Sequence, residues 1–196
     1  MAAMSLSTEV DGRRRRGQDN RARIVAAMLE IIREGVMIPG AEQVAARAEV
    51  GLRTVFRHFD DMDSLYREMT VAIETELRAL MGRPFLAEGW RDRLVELVTR
   101  RSEVFERIMP FRRASDTVRH RSRFLAEDHA RLATTLRELL KGVLPDELVT
   151  GPTKFEALDL LTGFEAWSRL RVEQGLSPDE ARRVLQLAVV RLATSD

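Results

Sequence analysis

At 196 residues, 44% hydrophobic and 32% charged, the chain has ordinary globular composition and enough apolar content for one or two packed cores. It has no cysteine, which excludes disulfides, thiolate metal sites and cysteine nucleophiles and fits a reducing cytoplasm. No apolar run approaches the roughly 18 residues needed to span a bilayer, and no apolar stretch follows the N-terminal arginines as in a signal peptide, so a soluble cytoplasmic protein without membrane association is expected.

The formal charge of +1 conceals a strong local bias. Arg13, Arg14, Arg15, Arg16, Arg21 and Arg23 crowd into residues 12 to 23 against a single acid, Asp19, an electrostatic footprint suited to a polyanion. Residues 1–18 lack apolar periodicity and are expected to form a flexible basic arm. From Asn20 the pattern turns helical. Ile24, Met28, Ile31 and Ile32 recur at i, i+4, i+7 and i+8, and Gly35 stands where a helix C-terminus favours positive φ. Pro39 and Gly40 break the chain. Ala41 to Arg47 then gives a short helix with Val44, Ala45 and Ala48 on one side, a tight turn follows through Glu49, Val50 and Gly51, and Leu52 to Phe59 forms a second short helix. That second helix carries Arg53, Arg57 and His58 with no acid, and the pair describes a helix-turn-helix. Asp60 or Asp61 can cap the next helix, which carries Leu65, Met69, Ala72, Ile73 and Leu77 until Gly82 and Pro84 end it. Long helices are expected over about 87–108, 118–141, 153–174 and 178–194, the last opened by a capping box of Ser177 and Glu180 around Pro178. Nothing alternates like a strand. The expected fold is all-α with about nine helices: a helix-turn-helix domain over 19–62 and a helical-bundle regulatory and dimerisation domain over 63–196.

The run Val44-Ala45-Ala46-Arg47-Ala48-Glu49-Val50-Gly51-Leu52-Arg53-Thr54-Val55-Phe56-Arg57-His58-Phe59 resembles the DNA-binding signature of the TetR (tetracycline-repressor) family. There an aliphatic-Ala pair leads through the turn to a recognition helix ending in an aromatic, a basic or polar residue, His and Phe. The resemblance covers about residues 20 to 66. The sequence departs from the family pattern at several positions. The family commonly has Gly where Glu49 stands, Ser or Thr near Pro39 and Gly51, Tyr at Phe56 and Lys at Met62. Phe56 has no hydroxyl and Met62 no charge to offer a phosphate, a loss that Arg13, Arg14, Arg15 and Arg16 are expected to offset from the minor groove or the DNA backbone.

The candidate DNA-binding residues are those four arginines with Gly51, Leu52, Arg53, Thr54, Phe56, Arg57 and His58. Arg53 suits a bidentate pair with guanine, Thr54 a phosphate or a thymine methyl, Leu52 and Phe56 apolar contact, and Arg57 and His58 the sugar-phosphate backbone, His58 suiting a packed or capping role equally. Val55 and Phe59, four apart, belong to the core. One such helix grips little DNA, so a homodimer on a palindromic operator is expected. The last two helices are apolar on more than one face. Their candidate interface residues are Phe155, Leu158, Phe164, Val184, Leu187 and Val190. The resemblance implies an intermolecular four-helix bundle there. Phe105, Met109, Phe111, Phe124 and Trp167 are candidates for a pocket taking a small-molecule effector. Arg112, Arg113, Arg119, His120, Arg121 and Arg123 form a basic cluster that reads more simply as a solvated charge run.

No cofactor, metal or catalytic residue is expected. No Glu-x-x-His pattern, phosphate-cradling glycine loop or serine-centred nucleophile elbow occurs. The expected function is a ligand-released repressor, with effector binding favouring a spacing of the two DNA-binding heads that no longer matches successive major grooves. The alternative is a dimeric helical interaction module with a degraded DNA-binding head.

Overall fold

The computed structural model describes the backbone of residues 3–194, and the side chains of 17–194 apart from 79 and 81. Among the described residues every regular element is helical: α1 (Ala3–Arg33), α2 (Ala41–Arg47), α3 (Leu52–His58), α4 (Met62–Met81), α5 (Trp90–Val118), α6 (Arg123–Lys141), α7 (Asp146–Thr150), α8 (Pro152–Thr162), α9 (Phe164–Ser168) and α10 (Pro178–Thr194). A 3₁₀ turn, Arg119–Arg121, joins α5 to α6, and a π turn, Arg169–Glu173, follows α9. None of these helices is long and apolar enough to cross a membrane.

Several boundaries depart from the periodicity. The stretch read as a flexible arm is, from Ala3, the first part of α1. It contains no proline, and its Ala, Met, Leu, Glu and Arg residues favour a helix that extends N-terminally from its packed half despite Gly12 and Gly17. Proline at 110 does not end α5, which runs on to Val118. A proline inside a helix removes one hydrogen bond and crowds the preceding turn at a cost of about 3 kcal/mol. Phe105 and Ile108 before it, and Phe111 and Ala114 after it, are all buried and hold the helix on both sides of the defect. The segment expected as one helix over 153–174 instead breaks at Gly163, whose ψ of 165° is extended.

The chain forms two compact units. Unit 1 comprises residues up to Glu74 together with Pro110–Leu125, and unit 2 comprises Thr75–Met109 together with the residues from Ala126 onward. This differs from a boundary at residue 62, because Leu65, Tyr66 and Met69 of α4 belong to the same core as α1 to α3. That core is built from Ile24, Met28 and Ile32 of α1, Val44 and Ala45 of α2, Val55 and Phe59 at α3, the α4 residues, and Phe111, Ala114 and Leu125. Each such large side chain contributes about 1.5–3 kcal/mol of burial.

In unit 2, α8 packs on α10, α7 and α9. Its core includes Leu94, Phe105, Leu140, Phe155, Leu158, Phe164, Trp167, Leu185 and Val189. Phe105 and Phe164 meet edge to face with ring centroids 5.6 Å apart. Arg101 lies in this core, 5% exposed. It donates to the Thr162 carbonyl at 2.8 Å and the Thr162 hydroxyl at 2.6 Å, and also to the Leu136 carbonyl. The Thr162 carbonyl is one of those a helix end leaves without an intrahelical partner, so this buried guanidinium caps α8 where Gly163 ends it. Burial pushes the Arg101 guanidinium down to about 10, with Asp159 opposing that shift, so it remains cationic at neutral pH. Trp167 Nε1 donates to Glu106 at 2.9 Å, and Arg171 reaches the same carboxylate at 2.7 Å.

Candidate nucleic-acid interface

The local chemistry of residues 31–61 determines which way the second short helix faces. Gly35, at φ +98°, closes α1: its N–H donates to the Ile32 carbonyl and that of Val36 to the Ile31 carbonyl. This paired arrangement is a Schellman motif, which requires a left-handed residue. The same motif closes α2. Glu49 N–H donates to Ala46 and Val50 N–H to Ala45, and Glu49 stands at φ +53°. Among the described residues it is the one non-glycine residue in that region. Val50 packs against the core where Ala45 is buried, the apolar contact that accompanies the motif.

After this turn Gly51 precedes α3 in an extended conformation, its carbonyl accepting from Thr54 at 2.7 Å. Val55 and Phe59 are each 2% exposed and fix the inner side of α3 in the core. The opposite side is open: Leu52, Arg53, Phe56 and Arg57 are exposed, with Thr54 and His58 half-buried. The outward surface is therefore cationic and apolar, and no acid occurs within the helix.

Arg21 of α1 holds the far end of α3. Its Nη1 donates to the His58 carbonyl at 2.6 Å, its Nη2 pairs with Glu68 of α4 at 2.9 Å, and its guanidinium lies 4.5 Å from the Phe59 ring centroid. One side chain thus joins α1, the C-terminus of α3 and α4. Arg23 pairs with Glu49 at 3.2 Å, and Arg47 makes a bidentate pair with Glu34 at 2.8 and 2.7 Å. Arg21 and Arg23, counted by sequence among the charges facing a polyanion, are therefore engaged inside unit 1. Sequence reasoning missed this because neither Glu68 nor Glu49 is near them in the chain. The backbone of Arg13, Arg14, Arg15 and Arg16 belongs to α1, but their side chains lie outside the described residues.

Burial, with repulsion from Arg57 and then Arg21, pushes His58 below its ordinary value of 6.5. Its Nε2 is buried without a hydrogen-bond partner. The imidazole is therefore neutral at pH 7 and half-buried, compatible with either of the two roles its sequence position suggests, packing or a backbone contact. Asp61 caps α4: its carboxylate accepts from Ser64 N–H at 2.8 Å. Met62, where the motif commonly carries Lys, is the first residue of that helix.

The remaining candidate residues divide between the units. Phe111 is buried in the unit 1 core and Phe124 packs against it, 4.6 Å from the Arg67 guanidinium. Phe105, Met109 and Trp167 belong to unit 2. The interface candidates also separate. Phe155, Leu158 and Phe164 are buried in unit 2 itself, whereas Val184 and Leu187 are exposed and Val190 is half-buried. Leu160 of α8, which packs against α10, is also exposed, at 69%. In the basic cluster Arg112 is buried, and Arg113, Arg119, His120, Arg121 and Arg123 are exposed.

No family model matches the sequence, and neither does any curated protein. Solved structures do match in fold. A transcriptional regulator from Rhodococcus sp. RHA1 aligns with a TM-score of 0.68 at 19% identity, over 88% of this chain and 95% of its own. A TetR-like transcriptional regulator from the same organism aligns with a TM-score of 0.63 at 16% identity, over 90% of this chain and 97% of its own. The helix order, the Schellman-closed turn before α3 and these alignments together give the chain the all-α fold of the TetR-like regulators.

Proposed function

We propose that the chain is a sequence-specific DNA-binding transcriptional regulator acting as a homodimer on a palindromic operator. The carrying observation is α3: Val55 and Phe59 lock its inner side in the core, and Leu52, Arg53, Phe56 and Arg57 face outward without an acid among them. A major groove admits an α-helix, and an exposed arginine there pairs bidentately with guanine. Arg53 takes that role, with Gly51, Thr54, Arg57 and His58 nearer the phosphates. Arg13, Arg14, Arg15 and Arg16 supply further cations along the backbone. The fold likeness to transcriptional regulators supports the same reading.

Dimerisation is supported by Leu160, Val184 and Leu187, large apolar side chains that stay exposed in the protomer. Substituting Leu187→Glu is expected to convert a dimer into a monomer in sedimentation experiments. The regulator is a repressor released by a small apolar effector taken up in unit 2 near Phe105, Met109 and Trp167. The effector must bind free and operator-bound protein differently, with a typical coupling of about 1–3 kcal/mol.

The test is selection of bound sequences from random duplex DNA with purified protein at two salt concentrations, repeated with Arg53→Ala. A palindrome that weakens about tenfold or more with the substitution and fades with salt is expected. Absence of enrichment at low salt would overturn the reading and leave a dimeric interaction module.

A further inference from the structure

We infer that Leu52 and Phe56 form an apolar ridge that reads thymine 5-methyl groups beside the guanine contacted by Arg53, so that part of the operator specificity is hydrophobic. The inference rests on the DNA-binding reading above and deepens it by naming what α3 recognises.

Leu52 and Phe56 stand four residues apart, so they lie on one side of a helix one turn from each other. They are 38% and 51% exposed. The core takes Val55 and Phe59 from this helix and leaves Leu52 and Phe56 outside it. Arg53 and Arg57 follow them directly in sequence and are exposed with them. Leu52 and Phe56 lie outside the core cluster and keep much of their apolar surface in solvent, and within a short cationic helix they fit a surface that is anionic yet offers discrete apolar spots. The major groove has that character, and the thymine methyl is its apolar group at the base edges. Phe56 has no hydroxyl with which to bind a phosphate, so apolar contact is the chemistry open to it.

The test places the change on the DNA and leaves the protein intact. Binding of the selected duplex is measured at fixed salt by fluorescence anisotropy, with each thymine replaced singly by deoxyuridine, which removes one methyl and nothing else. For the unsubstituted protein, one or two thymines per half-site are expected to lose about fourfold in affinity per methyl, as burial of one such group implies. With Phe56→Ala or Leu52→Ala the corresponding loss should disappear, and with Arg53→Ala it should persist although overall affinity falls. Phe56 is half exposed, so its truncation leaves the core of unit 1 in place. An operator bound with unchanged affinity after every deoxyuridine substitution would overturn the ridge while leaving the DNA-binding reading standing. Failure to bind any selected duplex would overturn both.

Discussion

Arg21→Ala removes three interactions at once and tests whether α3 is held from behind by α1. The hydrogen bond from a charged guanidinium to the His58 carbonyl contributes about 1.5–3 kcal/mol. The pair with Glu68 is 40% and 38% exposed, so solvent screening limits it to about 0–1 kcal/mol. The guanidinium over the Phe59 ring adds about 0.5–1 kcal/mol. Because all three share one side chain they do not sum fully, and a loss of about 2–4 kcal/mol is expected in urea unfolding followed by far-UV circular dichroism. Tryptophan fluorescence is the wrong probe, since Trp90 and Trp167 both belong to unit 2. Hydrogen exchange on peptides spanning residues 52–59 should show the loss of protection concentrated at the C-terminus of α3. Arg21→Lys should recover only a minor part, because an ammonium cannot fork between a carbonyl and a carboxylate as a guanidinium does. A change within about 0.5 kcal/mol for the alanine variant, with protection of α3 unaltered, would refute the clamp.

Glu49→Gly is expected to stabilise unit 1 by about 0.5–1 kcal/mol in the same unfolding assay, since it relieves a side chain at φ +53° and forfeits only an exposed pair with Arg23; destabilisation would show that the Arg23 pair outweighs the backbone strain. Arg101→Ala leaves the Thr162 carbonyl at the end of α8 without its donor, while the Thr162 hydroxyl keeps the Leu158 carbonyl, and should cost about 1–3 kcal/mol, read by tryptophan fluorescence; a loss below about 0.5 kcal/mol would mean that water replaces the guanidinium. The one tyrosine, Tyr66, is held above its ordinary value of 10.0 by burial and then by Asp63. A raised folded value means that its contribution is complete below pH 10 and is lost as pH rises through the folded value, so alkaline titration of the native protein should show one phenol step above 10. Glu34 is held below 4.5 chiefly by its hydrogen bonds from Arg47, so its contribution is present above that value and lost as pH falls through the lower folded one. Glu34→Gln should accordingly flatten the acid limb of the stability profile, and an unchanged limb would assign acid sensitivity elsewhere.

Residues 20–61 were legible because local and long-range demands agree there. The apolar spacing of α1 matches its core face, Gly35 occupies a left-handed position, and the two-helix pattern separated by a tight turn needs only nearby residues to be recognised. The capping box of Ser177 and Glu180 was legible for the same reason, and Glu180 accepts from Ser177 N–H at 2.8 Å. Legibility fails where a distant partner decides the outcome. The break at Gly163 depends on Arg101, 61 positions before Thr162, supplying a donor to the helix end. Continuation of α5 through Pro110 depends on two cores holding its two halves.

The apolar residues of α8 to α10 present a different limit. Periodicity marks Phe155, Leu158 and Phe164 as apolar-face residues just as it marks Val184 and Leu187, and it carries no information about which face the protomer covers with its own chain. The first three went to the core and the last two stayed in solvent, and that division, absent from any helical repeat, is what gives the proposed interface its location. Charge shows the same ambiguity at Arg21: a cation in a basic run reads as a ligand for phosphate until a carboxylate 47 positions away proves to lie within hydrogen-bond distance. A basic cluster counted along a sequence is therefore an upper bound on the cations available to a partner. At α3, where the helix carries no acid of its own and Arg53 and Arg57 point away from the core, that bound comes closest to the charge a partner would meet.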